Sequence, residues 1–192
     1  MTSRTDPSAP PALDAPNVLA GAAAIVGVAG TVEPYGGSFV IRGHASSRGC
    51  DIGLGSRLLW VVVDTRWELP ERAAIFWAPA GSYERARSLA EDGPWAASGD
   101  PGFDSIYLVG GDDAQLCADR LTESGRRALC AEAWIRPGVS WLDLAPPTRR
   151  RNVCATSQSH AGVRDPAKQP SAESVAKLVT AALVIASALE EP

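Results

Sequence analysis

The sequence predicts an α+β fold: an antiparallel sheet of about five strands, with two short middle helices and a C-terminal helix packed on one face. Three observations predict it. Short β-branched runs separated by turn residues fill the first half, a strand-to-helix pattern occupies residues 100–129, and an Ala/Leu-rich run closes the chain. The length of 192 residues suits one domain, and a domain of roughly 150 residues buries about 70% of its unfolded surface.

The N-terminal segment, residues 1–16, contains four prolines and lacks an apolar stretch. We expect it to be a disordered tail, followed by a single α+β domain over residues 17–192. The apolar stretches at 18–30 and 175–189 are shorter than the roughly 20 residues that span a membrane. Four cysteines without a C-x-x-C pair suit reduced thiols. We therefore expect a cytoplasmic protein without a membrane segment.

The early strands are predicted from alternation and β-branched content. Residues 18–33 are expected to lead from a helix end into a strand. Residues 38–42 and 57–64 are the clearest strands, and we expect them to pair antiparallel across a turn-rich connection at 43–55. A helical turn is expected around 83–89, in an otherwise irregular segment. Further short strands are predicted at 73–77, 139–144 and 152–156.

In the middle segment, turn and capping residues mark the ends of the predicted elements most clearly. Alternation predicts a strand over 103–109, and the following Gly-Gly pair allows a sharp turn. Asp112 then stands at the N-cap position of a helix, with Gln115 at capping-box spacing. Thr122 is the predicted N-cap of a second short helix.

This segment carries a pattern of the form F-D-x-x-Y-x-V-x-G-D-D, followed by L-T and R-x-x-L. It resembles a loosely defined group of uncharacterised bacterial domains over residues 100–144. That group has no established activity, so the resemblance implies packing and capping roles and no catalytic residue. The matching residues are Phe103, Asp104, Tyr107, Val109, Asp112, Leu121, Thr122 and Leu129.

The C-terminal run predicts a helix that begins after Ser171, a good N-cap residue, with Glu173 in its first turn. Its polar residues form a thin stripe: Ser174, Lys177, Thr180 and Ser187. A helix so broadly apolar is expected to cover the sheet on one side and to meet a second apolar surface on the other, either another helix or another chain. This second surface indicates a partner.

Two groups of residues invite a ligand-binding interpretation. Asp112 and Asp113 could bind a divalent cation, but at a helix start we expect them to act as caps. Gly49, Gly53 and Gly55 lack the full spacing of a nucleotide-binding loop, and a hairpin turn is the preferred interpretation.

The sequence contains two histidines and four cysteines. His44 with Cys50, and Cys154 with His160, each have five intervening residues, but a C-x-x-C or H-E-x-x-H motif is lacking. Cys130 or Cys154 paired with His160 has no nucleophile signature around it. We therefore predict no catalytic residue, no metal site and no cofactor.

The candidate interface residues are two tryptophans and three arginines. Arg149, Arg150 and Arg151 form the one concentrated positive charge of the sequence, which can bind phosphate or an acidic partner, although a solvated strand edge is the preferred interpretation. Trp67 and Trp95 are expected in loops beside polar residues. If exposed, either is a candidate interface anchor.

The function predicted from these features is that of a non-enzymatic interaction or scaffolding module with a protein partner or self-association. The net charge of −4 argues against nucleic-acid binding. One alternative is an enzyme or small-ligand binder with a site assembled from scattered residues such as His44, Asp51, Asp64 and Cys154. Another is phosphate or polyanion contact through the three arginines.

Overall fold

The computed structural model describes residues 14–55, 59–66, 74–91, 93–110, 113–131, 136–143, 149–157 and 170–191. The helices are α1 (Ala15–Val26), α2 (Tyr83–Glu91), α3 (Pro101–Asp104), α4 (Ala114–Asp119), α5 (Glu123–Ala131) and α6 (Ala172–Leu189). The strands are β1 (Val32–Tyr35), β2 (Ser38–Ala45), β3 (Arg48–Leu54), β4 (Leu59–Asp64), β5 (Ala74–Trp77), β6 (Trp95–Ala96), β7 (Tyr107–Gly110), β8 (Arg136–Asp143) and β9 (Arg149–Ser157).

These strands form one antiparallel sheet in the order β1-β2-β3-β4-β9-β8-β5-β7-β6. The predicted α+β class is confirmed, with the two short middle helices and the C-terminal helix packed against the sheet. Strands β1 to β4 follow one another as neighbours because short turns join antiparallel strands. The later strands arrive from distant parts of the chain, so β9 pairs with β4 and β5 lies between β8 and β7.

The connection predicted at 43–55 is instead the end of one strand, a tight turn and a further strand. β2 continues to Ala45, and Ser46 and Ser47 turn the chain with φ values of 50° and 65°. β3 then pairs with β2 on one side and with β4 on the other. The predicted direct pairing of residues 38–42 with 57–64 is therefore wrong, because β3 lies between them.

Glycines in β3 and β7 make room for tryptophans on the adjacent strands. Gly53 pairs with Trp60, and a Cβ at Gly53 would collide with the Trp60 indole. Gly110 pairs with Trp95 in the same way. A glycine inside a strand thus marks a close approach by a large neighbour, which explains why a turn-like composition forms a strand here.

The first two residues of the strand predicted over 103–109 belong to α3 instead. Asp100 caps α3 by accepting hydrogen bonds from the backbone N–H groups of Gly102 (2.9 Å) and Phe103 (3.2 Å), and Pro101 occupies the first turn. β7 begins at Tyr107, whose ring stacks on Phe103 with a centroid separation of 4.9 Å. The buried Tyr107 hydroxyl donates to the Leu129 carbonyl oxygen at 2.7 Å, which ties the sheet to α5.

The middle helices begin at local caps. Asp113 caps α4 by accepting from the Leu116 N–H at 3.0 Å, whereas the predicted cap Asp112 lies outside the described residues. Thr122 caps α5 as predicted, since its Oγ1 accepts from the Gly125 N–H at 3.1 Å. Gly125 is buried against the Leu189 side chain, so the residue that weakens α5 as a helix lets it approach α6 closely.

The C-terminal helix lies at the centre of the helical layer. Ser171 caps α6 as predicted, and a reciprocal bond with Ser174 completes a capping box. α6 packs on β4 and β9 and is flanked by α1 and α5. The second apolar surface expected for this helix is therefore supplied largely by α1 and α5 of the same chain. Its core side chains include Val175, Leu178, Val179, Ala182, Ile185 and Leu189.

The end of α6 is fixed to the sheet by a charge cluster. The Glu190 carboxylate accepts from the Arg48 guanidinium at 2.5 and 2.8 Å. It also accepts from the Thr65 hydroxyl at 3.1 Å and from the Arg66 backbone N–H at 2.5 Å. The cluster joins the β2–β3 hairpin and the end of β4 to a helix more than a hundred residues away in sequence.

Within the described part of the chain, one helix is long and apolar enough to cross a membrane. This is α6, with a mean hydropathy of 1.6, and 56% of it is buried inside the molecule. Burial between a sheet and two helices is compatible with the core helix of a soluble protein.

Candidate functional site

Helix α1 is held at both ends by local caps and packs closely on α6. The Asp14 carboxylate accepts from the Asn17 backbone N–H at 3.3 Å, and Gly27 ends the helix in the left-handed conformation with φ of 73°. Gly21 faces Ala172, where a Cβ would lie 3.0 Å from the alanine methyl group. These contacts fix which face of α1 turns inward.

The opposite face of α1 is exposed and carries no charge. The sequence from 15 to 32 lacks Asp, Glu, Lys and Arg altogether. Ala20 and Ala24 are exposed, and Ile25 retains 57% of its surface in solvent. The inward side chains are buried: Leu19, Ala22 and Ala23. A solvent-facing helix without a charged side chain is an unusual surface for a soluble domain.

Helix α6 contributes a narrow exposed stripe next to this face. Its exposed side chains include Glu173, Lys177, Thr180, Val184 and Ser187, which follow one another at alternating spacings of four and three residues. This spacing places them along one line of the helix surface. Val184 lies between Thr180 and Ser187 in the stripe, and 52% of its surface is exposed to solvent.

Two grooves run on either side of the stripe. The groove between α1 and α6 has a volume of about 580 Å³, and Ile25, Lys177 and Val184 line it. The groove between α5 and α6 has a volume of about 680 Å³, with Leu183 and Glu191 among its walls. Val184 belongs to both grooves and forms the ridge between them. We call α1, α6 and these grooves the helical face.

Charges stand at the ends of the stripe. Lys177, near its N-terminal end, makes no ion pair with any described residue. Glu191 lies just past the C-terminal end and accepts a hydrogen bond from the Ser124 hydroxyl at 2.6 Å. The nearby Arg127 pairs with Glu123 of its own helix at 2.5 Å. The exposed stripe of α6 thus has Glu173 and Lys177 towards its N-terminal end, Thr180, Val184 and Ser187 in its uncharged middle, and Glu191 just past its C-terminal end.

The opposite face of the sheet, which we call the outer face, collects polar residues that are scattered in sequence. Strand register brings Arg42 beside Asp51, and the Arg42 Nε lies 3.6 Å from the Asp51 carboxylate. His44 pairs with Gly49, over which the Asp64 carboxylate lies. The strand register therefore places His44, Asp51 and Asp64 on adjacent strands. All three are residues predicted for an assembled site. The fourth, Cys154, is opposite Val62 in the β4–β9 ladder.

The arrangement on the outer face lacks a reactive thiol among its described side chains. Cys50 is buried on the helix side of β3, whereas His44 is exposed on the other side of β2, so the two cannot bind one metal ion. Burial, with further contributions from Asp51 and Asp64, raises the pKa of Cys50 to about 12. His160 lies outside the described residues. Within the described residues, His, Cys, Asp and Glu side chains do not gather in groups of three or more.

Of the predicted interface residues, Trp95 has a described side chain, and it lies at the edge of the sheet. Trp95 is half-buried in the edge strand β6, where its ring covers Gly110. Trp67 lies outside the described residues. The three arginines at 149–151 begin β9, opposite residues 141–143 of β8. Polyanion binding by them stays a prediction.

The sequence carries one signal for the helical face. An uncharged stretch from 15 to 32 with helical spacing predicts a helix without a polar side, which must be buried all round or leave an apolar surface. Ile25 and Val184 could not be recognised individually, because neighbouring Ile and Val residues in the same helices are buried. Exposure was decided by how α1, α5 and α6 pack together.

Comparisons of the chain with protein-family models, with curated proteins and with solved structures found no match. The surface chemistry described above is therefore what indicates a function.

Proposed function

We propose that this protein is a non-enzymatic interaction module that binds another polypeptide through its helical face. The single observation that supports this proposal is the apolar, uncharged exposed surface of α1, continued by Val184 of α6. Contiguous apolar patches on soluble domains are typical of interaction sites, whereas isolated apolar side chains are ordinary.

The energetics of this face favour association. Ile25 and Val184 each keep about half of their surface in solvent, so covering them contributes on the order of 1 kcal/mol each. The alanines of α1 add apolar area and have no side-chain rotamers to immobilise. The uncharged surface has few polar groups to desolvate, which is the main cost that makes other surfaces poor interfaces.

The proposal includes a reducing, cytoplasmic setting in a bacterium. Cys50 and Cys117 are buried free thiols, and burial raises the pKa of both. Thiols of this kind are stable in a reducing compartment and suit an intracellular protein.

Site-specific photo-crosslinking tests the proposal. A photoreactive phenylalanine analogue at Ile25 or Val184 is expected to yield covalent adducts with a polypeptide in living cells. The matched control is Tyr35, which is 56% exposed but lies at the sheet edge in β1. Adducts that form equally from Tyr35, or none from Ile25 and Val184, would refute the proposal.

A second candidate function is small-ligand binding on the outer face. The observation that favours it is the strand register, which brings His44, Asp51 and Asp64 to neighbouring positions. A fragment library screened by amide NMR tests it. Shifts centred on Gly49 and Gly53 would support a site there, and shifts confined to α1 and α6 would argue against it.

A further inference from the structure

We infer that the donors around Glu190 form a carboxylate-binding site, which Glu190 occupies as a ligand from its own chain and which a carboxylate from outside fills when Glu190 leaves. The site lies where the end of α6 meets β3 and β4, and its side chains differ from those named for the helical face. The inference therefore goes beyond the proposed function and does not depend on it.

Strand alternation assembles the donors on the helix side of the sheet. Cys50 pairs with Val63, and both side chains belong to the core. Arg48 lies two residues before Cys50 and therefore points to the same side of β3. Thr65, two residues after Val63, is buried as well. The Arg48 guanidinium and the Thr65 hydroxyl are thus brought together at one end of the β3–β4 ladder.

The donors converge on one planar group with two oxygen atoms. The two terminal nitrogens of Arg48 donate to separate oxygens of the Glu190 carboxylate, at 2.5 and 2.8 Å. The Thr65 hydroxyl and the Arg66 backbone N–H both donate to Oε1, which also accepts from Nη1 of Arg48. A guanidinium that makes two parallel hydrogen bonds matches a carboxylate in geometry and favours it over a spherical anion such as chloride.

The sheet holds these donors in place without help from Glu190. Nη1 of Arg48 also donates to the backbone carbonyl oxygen of Asp64 at 3.3 Å, which orients the guanidinium. The Asp64 carboxylate lies over Gly49 on the outer face, so it is on the other side of the sheet from the site. Donors that are arranged in advance cost little ordering when a ligand binds. The site is therefore ready to accept another carboxylate.

Glu190 can leave without releasing α6. It is the first residue after the helix, and its side chain is 20% exposed, so water reaches the carboxylate. The end of α6 has two separate links to α5. The Ser124 hydroxyl donates to the Glu191 carboxylate at 2.6 Å. The Thr122 hydroxyl donates to the Ala188 carbonyl oxygen at 3.4 Å. Rotation of the Glu190 side chain alone therefore empties the site.

Acetate binding to Glu190→Ala, made in the full chain, tests the inference. The binding is followed by the NMR shift of the Arg66 backbone amide, which donates to the carboxylate. Acetate is expected to bind this variant about tenfold or more tightly than the wild type, because Glu190 competes from within the same chain. Acetate is also expected to raise the melting temperature of the variant. Sodium chloride at the same ionic strength is expected to do neither, and it controls for charge screening.

Two further variants show where acetate binds. Arg48→Ala combined with Glu190→Ala removes the bidentate donor and is expected to lose the acetate effect. Glu123→Ala is the matched control, because Glu123 also pairs with an arginine, Arg127, but the two side chains are 75% and 76% exposed. Such an exposed pair contributes little, so acetate is expected to leave the melting temperature of this variant unchanged.

Several results would overturn the inference. Acetate that binds the wild type as tightly as Glu190→Ala, or that binds neither, would do so, as would an acetate effect that survives the loss of Arg48. Inorganic phosphate that binds Glu190→Ala more tightly than acetate does would exclude a carboxylate site. If Glu190→Ala does not fold, Glu190→Gln replaces it. Its neutral amide is a weaker competitor, so acetate is expected to bind it more tightly than the wild type, and equal affinities would contradict the inference.

Discussion

Replacing Glu190 with glutamine is expected to destabilise the fold by about 2 kcal/mol at neutral pH. The Arg48 guanidinium, followed by the Arg66 N–H and the Thr65 hydroxyl, lowers the pKa of Glu190 to about 2 against burial, which raises it. The difference from the ordinary value of 4.5 corresponds to about 3 kcal/mol. Partial solvent screening reduces this, since the Arg48 and Glu190 side chains are 17% and 20% exposed.

The sign of the pH dependence follows from the lowered pKa. The unfolded carboxyl group gains its proton near pH 4.5, while the folded one holds its charge until about pH 2. The stabilisation is therefore complete above about pH 5 and is lost as the pH falls towards 2. The stability difference between the wild type and Glu190→Gln is expected to shrink by more than half between pH 7 and about pH 3.

Urea unfolding followed by tryptophan fluorescence at pH 7 and pH 3 measures this difference, since the chain has six tryptophans. Glu123→Gln is the matched control, because Glu123 is 75% exposed and its pair with Arg127 lies within one helix. Such pairs contribute roughly 0.3–0.5 kcal/mol. Equal losses from the two variants, or a Glu190→Gln loss that does not change with pH, would refute the proposed role of the cluster.

Four further predictions concern packing, thiol reactivity and charge. Gly53→Val is expected to lower the melting temperature, with a cost of about 2 kcal/mol or more, because the new side chain collides with Trp60; an unchanged melt would contradict the close approach. Tyr107→Phe removes a buried hydrogen bond and is expected to cost about 1 kcal/mol in urea unfolding. Cys50, with its pKa raised to about 12, is expected to resist a maleimide at pH 8 in the folded protein and to react in urea; rapid labelling of the folded protein would contradict its burial. If the arginines at 149–151 bind polyanions, a triple alanine variant loses salt-sensitive retention on heparin, whereas equal elution of both proteins excludes this role.

Where the sequence predicted the fold correctly, the signals were local. The cap at Ser171 and the apolar run after it define α6, and a run rich in β-branched residues defines β4. The side-chain oxygen of Thr122 alone was enough to mark the start of α5. Each of these signals depends on atoms within one helical turn or one strand, so no knowledge of the remaining chain is needed.

Where a predicted element was wrong, the contact that decided its structure involves a residue outside the predicted segment. β3 has the composition of a turn because its outer side includes Gly49 and Gly53, yet a tryptophan and an aspartate on β4 cover those two positions. The start of the predicted strand at 103–109 is helical because Asp100 caps it. At these residues the capping signal outweighs the apolar alternation that predicts a strand. In both places two local patterns were compatible with the sequence; packing against β4 decided β3, and the Asp100 cap decided α3.

The sequence by itself determined the class of the fold, the caps of its helices and the apolar character of α1 and α6. The tertiary structure alone decided the strand order, the meeting of His44, Asp51 and Asp64 on one face, and the exposure of Ile25 and Val184. The physical reason is that hydrophobicity is a property of a residue, whereas burial is a property of all the segments around it. Among the described residues no element lies over the exposed side of α1, and this exposure is the reason we propose it as a binding surface.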